Sequence, residues 1–136
     1  MDNLVIAIDP GREKCGMAVV HREQGVLVRK VVSTELLTEE IGRYFTKYDG
    51  PLIVVGDRTG SLAVRNRLQQ TLQGTKEVRI IAVDEHRSTE EARRLYWREN
   101  PPRGMKRLIP LGMQVPPCPV DDYVAVILAH RYFDQA

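Results

Sequence analysis

Two cysteines, three histidines and one tryptophan are all that the 136 residues contain, and each scarcity removes a class of protein. Cys15 lies in a strand-like run and Cys118 in a proline-rich stretch. They form neither a CxxC pair nor a disulfide framework, so both read as buried or incidental thiols. His21, His86 and His130 are scattered, and no compact histidine and cysteine set suits zinc. No apolar run approaches the ~20 residues that cross a bilayer, and the start of the chain lacks the charged segment and long apolar stretch of a secretory signal. The expectation is a soluble, cytoplasmic protein with no membrane partner. Repeats and low-complexity tracts are also missing.

What remains is ordinary globular material, 43% hydrophobic and 28% charged, outside the disordered regime. Its length fits one domain over residues 1–136. A net charge of +2 is too small to argue for nucleic acid, but the charge is unevenly spread. From Arg87 to Arg107, seven bases (Arg87, Arg93, Arg94, Arg98, Arg103, Lys106, Arg107) stand against three acids (Glu90, Glu91, Glu99), a local cationic stretch.

Asn3 to Asp9, Cys15 to His21 and Val26 to Val32 read as strands, and their short connections favour antiparallel neighbours. Leu36, Leu37, Ile41, Tyr44, Phe45 and Tyr48 then recur at helical spacing until Asp49-Gly50-Pro51 breaks the pattern. Leu52 to Val55 predicts a buried strand, followed by a helix from Leu62 to Leu72 with Leu62, Leu68 and Leu72 inward. Val78 to Val83 repeats the strand signal. Ser88 opens a helix at capping-box spacing to Glu91, with Ala92, Leu95 and Tyr96 on its apolar face, and Asn100-Pro101-Pro102 stops it. Residues 101–119 hold six of the eight prolines and read as a long loop, a feature that is usually functional or mobile. Val120 to Phe133 predicts a final helix. With right-handed crossovers, an α/β fold satisfies these connections: a mixed five-stranded sheet, order 3-2-1-4-5, with helices on both faces.

Acids mark the ends of these elements. Asp9 closes the first strand, Asp57 the fourth and Asp84-Glu85 the fifth, while Asp121-Asp122 open the last helix. Strands one, four and five run the same way, so Asp9, Asp57 and Glu85 emerge at their carboxyl edge, where open sheets bind ligands. Clustered carboxylates repel unless a cation offsets them. Hard oxygen donors suit magnesium or manganese, and a pair of such ions supports phosphodiester cleavage. Each acid also has a plain structural reading: a turn for Asp9, and caps for Asp57, Asp84, Asp121 and Asp122. His86 reads as a hydrogen-bonded loop residue ahead of a water or phosphate contact. Tyr96 and Trp97 read as core ahead of base-stacking.

Three blocks carry a resemblance. They are Ile8-Asp9-Pro10-Gly11 with Gly16-Met17-Ala18; Val83-Asp84-Glu85 with Ser88-Thr89 and Glu91-Ala92; and Val120-Asp121 with Ala125 and Tyr132-Phe133. In this order they resemble the YqgF/RuvX family of ribonuclease H-like nucleases, relatives of the RuvC Holliday-junction resolvases. The resemblance implies a ribonuclease H-like fold and a metal-dependent endonuclease acting on branched DNA or precursor ribosomal RNA. It also implies metal-binding acids at Asp9, Glu85 and Asp121, holding Mg2+ or Mn2+, as a pair of ions. Asp122 is the alternate to Asp121 through a one-residue shift. Asp57 is an added acid, because Gly56-Asp57-Arg58 stands where the family has Gly-Leu-Pro. His86 replaces the family's arginine, which marks a divergent branch.

The expected catalytic set is therefore Asp9, Glu85, Asp121, Asp57 and Asp122, with Arg87, Arg94, Arg103, Lys106 and Arg107 neutralising nucleic-acid phosphates. Junction cleavage favours a homodimer. The alternative is a non-catalytic ribonuclease H-like module that binds nucleic acid or a protein. Asp9-Pro10-Gly11 also resembles the phosphate loop of actin-like sugar kinases, an architecture that needs two lobes where 136 residues supply one.

Overall fold

A computed structural model describes residues 2–58, 60–72, 74 and 76–135. The apolar runs form β1 (Leu4–Asp9), β2 (Lys14–His21), β3 (Gly25–Ser33), β4 (Leu52–Gly56) and β5 (Ile80–Val83). They make one mixed sheet in the order β3-β2-β1-β4-β5. The first three strands pair antiparallel, whereas β4 lies parallel to β1 and β5 parallel to β4. Among the described residues four α-helices flank the sheet: α1 (Leu37–Lys47), α2 (Ser61–Thr71), α3 (Ser88–Glu99) and α4 (Asp121–Asp134). None is long and apolar enough to cross a membrane among the described residues.

Alternation along each strand sorts the core into two layers. Val5, Ala7, Ala18, Val20, Leu52 and Val54 face α3 and α4, which contribute Ala92, Tyr96, Val124 and Leu128. Ile6, Ile8, Met17, Val19, Ile53 and Val55 face α1 and α2, which contribute Ile41, Phe45, Val64 and Leu68. The central strands are buried on both sides, hence their unbroken apolar runs. The edge strand β3 carries charge instead. Arg29 pairs with Glu99 and Asp122 towards α3 and α4, while Lys30 pairs with Glu40 of α1.

Three expectations change. Leu62 is 63% exposed, and Ser61, Val64 and Leu68 point inward instead. At about 100° per residue, positions 62 and 68 lie on different faces, whereas 61, 64 and 68 share one. Ser88 forms no capping box: Arg87, at φ 58°, is the N-cap, without a side-chain cap bond. Among the described residues the buried Ser88 hydroxyl has no partner, and Glu91 reaches Arg131 of α4 at 2.7 Å. The fifth strand is shorter than the apolar run, since Val78 is buried but lies before it. The long loop contains two short 3-10 turns, Gly104–Leu108 and Leu111–Met113.

Candidate active site

Asp9 is the last residue of β1 and pairs with Gly16 of β2. The bare Cα of Gly16 decides what lies next to it. A Cβ there would collide with the Asp121 carbonyl and the Asp122 nitrogen, so glycine lets the first turn of α4 settle onto the sheet beside Asp9. Gly56, the last residue of β4, does the same on the other side: a Cβ would collide with the carboxyl of Glu85. Glycine inside a strand often marks such close approach.

Glu85 lies just beyond β5 and is 1% exposed, and Asp9 is 8% exposed. A hydrogen-bonded clasp holds the two strand ends in register. The Asp57 N–H donates to the Val83 carbonyl at 3.1 Å, the Glu85 N–H donates to Asp57 Oδ1 at 3.1 Å, and the Arg58 N–H donates to Glu85 Oε2 at 3.0 Å. The Arg58 guanidinium also pairs with Oε2, with Nε at 3.3 Å. From the α4 side, Arg131 donates to the carbonyls of Asp84 at 2.6 Å and His86 at 2.7 Å. The loop bearing Glu85 is thus fixed from both sides.

The electrostatics record how these acids converge. Burial pushes the Asp9 carboxyl from its ordinary 3.8 up to about 8. The neighbouring carboxyls of Glu85 and Asp121 add to the rise, and the Arg58 guanidinium opposes it. Among the described residues, Glu85 Oε1 is buried without a hydrogen-bond partner. Asp9 therefore lies within the electrostatic reach of both Glu85 and Asp121.

The other expected residues are placed differently. The Asp57 side chain is spent partly on the Glu85 N–H and is otherwise exposed. Asp122 turns away, accepting from Arg29 at 3.0 Å and from the Tyr123 N–H at 3.0 Å. Arg87 and His86 join Asp57, Arg58 and Glu85 around a cleft of about 570 Å³. The His86 N–H is held by Asp84 Oδ1 at 2.9 Å. Arg94 lies on α3 beside Trp97 and Leu111. Arg103 and Lys106 line a separate groove with Tyr96 and Trp97, and Arg107 Nε donates to the Gly104 carbonyl at 3.2 Å. Tyr96 is buried and Trp97 packs partly buried against the same core.

Sequence reasoning missed Arg58, Arg131 and the spacing role of Gly16 and Gly56. A glycine within or at the end of a strand beside an acid was the available signal for the last two. Arg58 and Arg131 carried no such signal, because both act across elements distant in sequence.

The buried donors suit a hard divalent cation: they are carboxylate oxygens, one of them orphaned, with repulsion that positive charge would relieve. Among the described residues, no group of three or more His, Cys, Asp or Glu side chains is gathered closely enough to hold an ion in this arrangement.

Neither a protein-family model nor a curated protein matches the sequence. Solved structures do. RuvC of Thermus thermophilus in complex with a Holliday junction substrate superposes with a TM-score of 0.58 at 14% identity, over 97% of this chain and 95% of that one. A second structure of Thermus thermophilus RuvC gives 0.55 at 14% identity, over 98% and 96%. The mixed five-stranded sheet and its flanking helices are thus the ribonuclease H-like fold that RuvC also has.

Proposed function

We propose that this chain is a cytoplasmic, metal-dependent endonuclease of the YqgF/RuvX type that hydrolyses phosphodiester bonds in structured nucleic acid. The observation that supports this reading is the burial of Asp9 and Glu85 at the carboxyl edge of the sheet, with Asp9 responding to the charges of both Glu85 and Asp121. The shared fold with a protein seen in complex with a Holliday junction favours branched DNA, with structured precursor ribosomal RNA as the competing substrate.

Asp9, Glu85 and Asp121 would hold the Mg2+ or Mn2+. When bound, such ions lower the pKa of water and stabilise the leaving oxygen. The chain's own residues do the rest. Asp9 and Glu85 project from ends of the sheet, which limits their movement. Asp57 fixes the Glu85 backbone and adds negative charge beside it, while Asp122, the alternate on α4, would join only by leaving Arg29. Arg87 at the acid cleft, and Arg94, Arg103, Lys106 and Arg107 on α3 and the following loop, neutralise phosphates without reading sequence. Water attacks the scissile phosphate in line. A two-fold dimer would present two such sites to opposed strands of a junction.

A second reading, a binding module without cleavage, is favoured by the absence of a preformed three-ligand group among the described residues. Asp9→Asn separates the two. Offered branched DNA and structured RNA with Mg2+ or Mn2+, the unaltered protein should cleave and the variant should not. Cleavage that survives the substitution sinks the metal-site assignment, and binding without cleavage by both proteins favours the module.

A further inference from the structure

Glu85 is a carboxylate with 1% of its side chain exposed, and its charge is met by a guanidinium that is itself half in water: the Arg58 side chain is 52% exposed. A buried carboxylate left unpaired is expensive, so a cation on Glu85 stabilises the folded chain. The way Arg58 is attached matters. Its backbone N–H bond to Oε2 belongs to the clasp between β4 and β5, together with the Glu85 N–H to Asp57 bond. The guanidinium contact at 3.3 Å is a separate, solvent-facing interaction on the same oxygen. Its loss would leave the backbone bonds of the clasp in place while removing the positive partner of Glu85. Asp9 feels the same guanidinium, which opposes the effects of Glu85 and Asp121 on it.

We propose that Arg58 is a built-in counter-cation for the acid pair, one that competes with divalent metal for Glu85 and holds the site together when metal is absent. The inference rests on the metal-dependent reading above. Arg58 is a positioning residue in this role: it acts through Glu85, meeting from Oε2 part of the negative charge that would attract an ion to the unpartnered Oε1.

Titration calorimetry with Mn2+ alone tests it, using Arg58→Gln, Arg58→Lys and Asp9→Asn beside the unaltered protein. Arg58→Gln keeps the backbone N–H bond and removes the charge. It should bind Mn2+ about three- to tenfold more tightly, the order expected of a partly solvated, charge-assisted pair, and the metal-free variant should melt at lower temperature. Arg58→Lys should fall between the two in affinity. Equal or weaker Mn2+ binding by Arg58→Gln, with binding still abolished by Asp9→Asn, overturns the role of Arg58 and leaves the acid site standing. Absence of Mn2+ binding by the unaltered protein, Arg58→Gln and Arg58→Lys alike overturns both. Binding by the Arg58 variants alone supports competition in its strongest form.

Discussion

The carboxyl of Glu85 fills the space that a side chain at Gly56 would need. The last residue of β4 thereby decides whether the acid beyond β5 can reach Asp9. Because Glu85 is buried and clasped by Asp57 and Arg58, it has little room to step aside. Gly56→Ala should therefore destabilise the protein by about 1–3 kcal/mol and sharply reduce metal-dependent cleavage with every acid still present. Denaturant unfolding and a cleavage assay on the same preparation check this. Unchanged activity would mean that Glu85 relocates without penalty.

The proton on Asp9 gives the metal-free protein a particular pH dependence. Its folded carboxyl is pushed from 3.8 up to about 8, burial being the largest cause, so between those values the folded chain retains a proton that the unfolded chain has released. The stabilising contribution is complete below the unfolded value and is lost as pH rises through the folded one. Urea unfolding in the presence of a chelator should show stability falling from mildly acidic to mildly alkaline pH. Asp9→Asn should flatten that decline, and an identical decline in the variant would assign it to other groups.

Asp57 offers a contrast between charge and hydrogen bonding. Asp57→Asn keeps an oxygen for the Glu85 N–H, whereas Asp57→Ala removes the acceptor seen at 3.1 Å and should cost about 1 kcal/mol. The Asn variant should retain most of the stability and measurable cleavage; the Ala variant should lose both in part. Abolished cleavage in Asp57→Asn, with stability intact, would move Asp57 from anchoring Glu85 to direct participation at the metal.

Lys106 and Arg107 sit on the exposed 3-10 turn of the long loop. Changing both to Ala should weaken nucleic-acid binding across sequences and lower the salt-dependence slope by about 0.7–0.9 for each phosphate no longer neutralised. Binding measured over a series of salt concentrations checks it, and an unaltered slope would remove these two residues from the interface.

Much of the architecture was legible because it rests on local patterns. Continuous apolar runs mark the five strands, turn residues separate them, and the order 3-2-1-4-5 is consistent with right-handed crossovers. The errors fall where local pattern underdetermines geometry. Apolarity alone assigns Leu62 to the core, yet it lies on the wrong side of α2 from Leu68. Ser88 has the spacing of a capping residue, but α3 takes Arg87 as its N-cap, and Glu91 is drawn to Arg131 across the α3–α4 interface.

The site divides in the same way. The chain by itself determined that Asp9, Asp57 and Glu85 would leave parallel strands at one edge, because strand direction follows from connectivity. Tertiary structure decided how those acids relate. Two glycines admit the start of α4 and the Glu85 carboxyl, Arg29 takes Asp122 aside, and Arg58 supplies the positive charge next to the buried pair. These are interactions between residues far apart in sequence, set by which backbones can approach closely and which charges must be met once water is excluded, and no spacing along the chain encodes either.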